Sequence, residues 1–191
     1  MLEAIASKEP APASGSAAAA VVATAAALLE KCARLSARRW SGSAEAQGEA
    51  HALRLRAEEL VEEDVHAYLA YVDATRSGEG VEAAHAKTVD VPLDVVRAAA
   101  GVSDLADRLA AHGNPRLRAD ALAAAILAGA AAETAAMLVR ENLAPASRDR
   151  RLVEARRLAR VASARARRLG APARPGGRDR APERSVGTRR R

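Results

Sequence analysis

Apolar residues recur along this chain at helical spacing, in long runs separated by short clusters of Pro, Gly and Ser. Pro10, Pro12 and Gly15 break any helix before Ser16, and Ser14 or Ser16 can cap a first helix running to about Arg38. Ser41-Gly42-Ser43 reads as a turn. A second helix follows from about Ala44 to Ala74, carrying Leu53, Leu60 and Leu69 and an acidic cluster from Glu58 to Asp64. Residues 76–89, with Gly78 and Gly80, read as a connection with room for a short helical piece. Pro92 fits the first turn of a third helix, Leu93 to about Ala111. Gly113 suits a left-handed cap, and Pro115 can begin a fourth helix, about Arg116 to Asn142. That helix is apolar around most of its circumference, which predicts a place in the centre of a bundle. Pro145 closes it. A fifth helix, about Arg148 to Leu169, sets a narrow stripe of Leu152, Ala155, Ala159, Ala162, Ala166 and Leu169 in an arginine-rich surface. No repeat and no sustained heptad is present. The pattern predicts an all-α fold: an up-and-down-like bundle of about five long helices over residues 1–169. A tail over 170–191, rich in Arg, Pro and Gly, has too little apolar surface to offset its ordering entropy and is expected to be disordered.

Composition sharpens this picture. Of the 191 residues 49% are hydrophobic but only 2% aromatic, with no Phe, and Trp40, Tyr68 and Tyr71 are the aromatic side chains. Such a core suits helices, because Ala is the best helix former and a sheet core draws on β-branched and aromatic residues. The net charge of +6 divides unevenly: residues 1–144 carry −6 and residues 145–191 carry +12. The basic character therefore belongs to the C-terminal part. Cys32 is the one cysteine. In its apolar setting it reads as a small buried hydrophobe in a reducing, cytoplasmic compartment. Residues 17–29 resemble the apolar core of a signal peptide, but no basic segment precedes them. They are also fewer than the roughly 20 residues that span a bilayer, so a buried helix and no membrane association are expected.

Three places could carry chemistry. The small-residue loop Pro10 to Ala17 opens into a helix N-terminus, where free N–H groups and the helix dipole favour anionic or polarised oxygen atoms; on the motif alone, an ordinary Ser-capped start is the better fit. Asp120 lies in the first turns of the most apolar helix, where a carboxylate must be paired, hydrogen-bonded or used; pairing with Arg116 or a favourable helix-start position would explain it too. Asp64 and Tyr68 share a helix face at i, i+4, as either a functional pair or a solvated acid beside a core tyrosine. Two Glu-x-x-His pairs, Glu63…His66 and Glu82…His85, have the spacing of di-iron ligands. They lie too close in sequence to face one another on separate long helices, and read as helix-surface residues; no metal site is expected. Motifs for zinc proteases, nucleotide binding and serine hydrolases are absent.

The order of several pieces matters more than any one of them: PAPASGSAAAA at 10–20, RRW at 38–40, DVHAY at 64–68, VPLDV at 91–95, GNPRLRADALAA at 113–124 and VRENL at 139–143. Together they resemble the cyclodeaminase/cyclohydrolase family, over about residues 1–169. That family includes the C-terminal domain of formiminotransferase-cyclodeaminase and stand-alone methenyltetrahydrofolate cyclohydrolases. The resemblance implies a helical homodimer that binds a tetrahydrofolate derivative as substrate, with no cofactor. It implies a pocket between the loop before the first helix and Asp120. Asp120 and then Asp64 would be catalytic. Ser14, Gly15, Ser16, Arg38, Arg39, Tyr68, Asn114 and Asn142 would contact substrate. The chain has Ala11, Ala13 and Ser14 where the family has a Thr and two glycines. It has Ala119 for a Ser, and Leu138 and Arg34 for asparagines.

Both family reactions pass through a tetrahedral carbon between N5 and N10 of the folate, and each needs a positioned group to move a proton. Hydrolysis of 5,10-methenyltetrahydrofolate to 10-formyltetrahydrofolate is expected ahead of cyclodeamination, since no formiminotransferase domain accompanies these residues. A degenerate, folate- or protein-binding dimer is the alternative in a different class. The arginine-rich tail allows weak, salt-sensitive association with nucleic acid, without any base-reading element.

Overall fold

The computed structural model describes residues 1–143 and 148–171; the expectations for Pro145 and for a disordered tail over 172–191 lie outside the described residues. Six α-helices are present among them: α1 (Leu2–Ile5), α2 (Ser14–Arg34), α3 (Ser43–Ser77), α4 (Val81–His112), α5 (Arg118–Asn142) and α6 (Arg150–Gly170), with a 3-10 turn at Pro115–Leu117. The five long helices expected from the sequence are all there. Side-chain contacts fix the topology as up-and-down. Arg54 of α3 reaches Glu30 of α2, Arg56 of α3 reaches Asp94 of α4, and His85 of α4 reaches Asn142 of α5. The core is almost wholly Ala, Val and Leu, so helix axes can approach closely.

Three details differ from the sequence reading. The expected connection at 76–89 shrinks to Gly78, Glu79 and Gly80, where both glycines have positive φ (77° and 66°). Helix α4 then starts well before Pro92, at Val81, and runs through it. Gly113, expected as a left-handed cap, is extended at φ −72°, ψ −167°; its lack of a side chain matters because a Cβ would lie 2.5 Å from the Leu109 carbonyl oxygen. The central helix is α4, which packs on all four other long helices, and not α5. On α5, Ala123, Ile126, Ala130 and Met137 stay exposed, with Ile126 at 52%.

Helices Ser14–Arg34 and Pro115–Asn142 are long and apolar enough to cross a membrane by length and composition, and half of each apolar window is buried inside the bundle. Helix α6 follows its predicted stripe, with Leu152, Ala155, Ala159 and Ala162 buried against α4 and α5.

Candidate functional site

The N-terminus of α2 has no side-chain cap of its own; the N-cap is Ala13. A residue from α3 approaches it instead. Asp64 lies against the first turn of α2, and a Cβ built on Gly15 would collide with its carboxylate. Only glycine leaves room for this approach. The hydroxyl of Ser16, fully buried, donates to Asp64 Oδ2 at 2.7 Å. A carboxylate is well placed there, beside the positive end of the helix dipole.

Asp64, Tyr68 and Asn142 line two adjoining hollows of about 230 and 280 Å³. One is completed by Ala67, Tyr71, His85, Thr88 and Glu141, and the other by residues 10, 11 and 13–15, Pro92 and Leu138. The continuous cleft approaches the size of small-molecule sites, roughly 300–1,000 Å³. Tyr68 is 43% exposed and forms a wall of the cleft, not part of the core. Wider grooves along α5 and α6 are floored by Ala and Gly; Glu133, which Ser163 binds, lies in both, with Arg140, Arg156 and Arg160 lining one and Arg167 the other.

Pro92 organises the far wall. Proline has no N–H, so in a continuous helix it leaves the carbonyl four residues earlier without its partner. That carbonyl belongs to Thr88, and Asn142 Nδ2 donates to it at 2.6 Å. The backbone carbonyl of Asn142 is 2.8 Å from His85 Nε2. The His85 ring packs against Tyr71 with centroids 5.6 Å apart. The end of α5 is thereby pinned to the proline-interrupted part of α4, at the edge of the cleft.

The residues singled out from the sequence divide into two groups. Ser14, Gly15, Ser16, Asp64, Tyr68 and Asn142 gather at the N-terminal end of α2. Arg38, Arg39, Asn114 and Asp120 lie at its other end. Asp120 is 3.9 Å from Lys31 Nζ, and Lys31 is about 25 Å along the helix from Ser14 at the usual rise per residue. The expected pocket between the loop and Asp120 is therefore not formed within one chain. Asn114 joins elements there: its Oδ1 accepts from Arg116 N, its backbone N–H donates to Ser36 Oγ at 2.9 Å, and its Nδ2 reaches Leu35 O. Arg38 and Arg39 are exposed in the turn after α2. Cys32 is 2% exposed, and burial, aided by the charge of Asp120, pushes its thiol up to about 11. It stays protonated and unreactive.

Sequence reasoning missed His85, Tyr71, Thr88 and Pro92 as parts of the cleft. The proline was the available signal, because a helix running through it needs an outside donor for Thr88. Among the described residues, no three His, Cys, Asp or Glu side chains gather as metal ligands. Glu63 is instead paired with Arg56, Nη2 to Oε2 at 3.1 Å.

The fold and cleft define a helical bundle with an acid-floored cleft between helix ends. The model of the formiminotransferase-cyclodeaminase family matches residues 1–160, and the chain belongs to that family. Its fold is also that of the crystal structure of formiminotetrahydrofolate cyclodeaminase from Thermotoga maritima. That match has a TM-score of 0.79 and 24% identity, covering 88% of this chain and 92% of that one. A search of curated proteins finds no match. The family's residue departures now have positions: Ala13 and Ser14 are exposed, where a Cβ is free to stand, whereas Gly15, the retained glycine, is where a Cβ cannot fit.

Proposed function

We propose that the cleft at the start of α2 binds a tetrahydrofolate carrying a one-carbon group and catalyses cyclodeamination, closing N5-formiminotetrahydrofolate to 5,10-methenyltetrahydrofolate with release of ammonia. The observation that carries this reading is the Asp64 carboxylate, fixed by Ser16 and Gly15 at the floor of a cleft in a chain of this family. The formimino group and the methenyl product are both cationic at the reacting carbon. A preoriented carboxylate beside that carbon stabilises the charge and holds the N10–H in position. Leu138, Pro92 and Ala67 give the cleft apolar walls that limit water. The folate derivative is substrate, and no further cofactor is proposed. Hydrolysis of the methenyl compound is the second reading, favoured by the same carboxylate facing the same cationic carbon. Methenyl absorbance separates the two, since it rises in the first reaction and falls in the second. Buffer rates in both assays, with no folate binding by calorimetry, would overturn the enzyme reading.

We also infer a homodimer. Helices α2 and α5 pack side by side, and residues 17–29 and 121–132 contain no charged side chain. Thr24, Ala27, Ala123, Ile126 and Ala130 remain exposed on them. An antiparallel copy packed on this face would cover it. It would also bring the partner's Asp120, Arg38 and Arg39 toward the cleft, which supports a shared site.

A further inference from the structure

We propose that His85 is the proton carrier of this cleft, held as its Nε2–H tautomer so that Nδ1 is free to accept a proton. The inference rests on the folate reading above for its substrate, but its structural basis is independent of it.

A backbone carbonyl can only accept a hydrogen bond. The 2.8 Å contact between His85 Nε2 and the Asn142 oxygen therefore requires a proton on Nε2. In the neutral ring the other nitrogen, Nδ1, then carries the lone pair, and it makes no hydrogen bond to the described residues. The ring cannot swing away freely. Tyr71 packs against one side, and the Asn142 carbonyl is itself fixed because its side chain is committed to Thr88. His85 lines the same hollow as Asp64, Tyr68 and Tyr71 from α3 and Glu141 from α5, and these are the titratable groups that surround it there. Histidine is the side chain suited to taking up and returning a proton near neutral pH.

The step balances with one carrier. N10 attacks the carbon of the protonated formimino group. The N10–C bond forms, and the C=N π pair moves onto the imino nitrogen. Nδ1 of His85 takes the N10 proton. It then returns that proton to the amino nitrogen, whose bond to carbon breaks with the electron pair leaving on ammonia. The carbon becomes the methenyl cation shared by N5 and N10, and His85 is neutral again. Asp64 keeps its charge throughout, opposite the cationic carbon.

Two readouts test this. In the free protein, long-range proton–nitrogen NMR of the imidazoles, with His85→Gln to assign the lost signals among the four histidines, should show Nε2 protonated and Nδ1 bare at alkaline pH. A dominant Nδ1–H tautomer would overturn the proposal. In kinetics, His85→Gln can still donate to the Asn142 carbonyl but cannot carry a proton. Its kcat should fall by about a hundredfold with KM little changed, and the acidic limb of the pH profile should disappear. An active wild type beside an unimpaired His85→Gln overturns the His85 role alone. A wild type inert toward both folates overturns the folate reading, and this role with it.

Discussion

At Gly15 the backbone of α2 and the carboxylate of Asp64 stand closer than any side chain would permit, since a Cβ there would run into Oδ1. Gly15→Ala must displace Asp64 from the helix end and break its bond to Ser16. The atoms in the way are the end of the Asp64 side chain, which can rotate aside, so the cost in stability should be small. The loss of the fixed carboxylate should lower kcat/KM by roughly a hundredfold. Thermal melts and steady-state rates on the variant check both, and a substitution tolerated without effect would mean that Asp64 needs no fixed position. Asp64, Tyr68 and the loop of Ser14, Gly15 and Ser16 were legible in the sequence, because an i, i+4 pair and a helix start are local patterns. Their meeting was not, since Asp64 lies 48 residues beyond Ser16 and only the packing of α3 on α2 joins them. Asp120 was legible for the same local reason, as a carboxylate in an apolar helix start, but its distance from Asp64 was not: within one chain it is a partly exposed neighbour of Lys31 at the far end of α2.

Among the helices, α4 shows how one local rule can mislead. Proline near an apolar run ordinarily marks a helix start, yet α4 passes through Pro92 because Asn142 donates to the stranded Thr88 carbonyl. That account makes a coupled prediction. Asn142→Ala should destabilise the protein by about 1 kcal/mol, the low end of the range for an orphaned acceptor because the Thr88 carbonyl is only part-buried. In a Pro92→Ala background the same change should cost less, because the substituted residue has the backbone N–H that proline lacks. Denaturant unfolding of the four proteins measures the coupling, and additive effects would contradict it. Ion pairs between helices give a second prediction. Arg54 holds the Glu30 carboxyl below its ordinary value of 4.5, and Arg97 does the same for Glu154 across α4 and α6. A lowered folded value means that their stabilisation is complete above the ordinary value and is lost as pH falls through the lowered one. The melting temperature should therefore drop between about pH 5 and pH 3, and Arg97→Ala should flatten part of that drop. Helix number and order were legible because five amphipathic or apolar runs are bounded by Pro and Gly. The start of α4 was not, because no side chain caps it and the contacts of His85 and Thr88 with Asn142 of α5 lie 54–57 residues away in sequence.

For the molecule as a whole, the distribution of charge and apolar surface is the informative feature. The apolar pattern assigned the centre of the bundle to α5, but that helix keeps an uncharged side open, as does α2 beside it. A second copy on that face would explain both the apolar surface and the separation of Asp64 from Asp120. Mixed dimers test this: Asp64→Asn and Asp120→Asn, each inactive alone, should regain part of the activity when unfolded and refolded together. Failure to regain any, or a monomer by sedimentation, would contradict the shared site.

The central claim is that the Asp64 cleft performs one-carbon chemistry on a folate. The direct measurement follows methenyl absorbance with the purified wild type and with Asp64→Asn, starting from N5-formiminotetrahydrofolate and, separately, from 5,10-methenyltetrahydrofolate. The account predicts a catalysed change from one of the two substrates, reduced about a hundredfold or more in an Asp64→Asn protein that retains its helicity. Buffer rates for the wild type on both substrates, or an Asp64→Asn protein as fast as wild type, would contradict it.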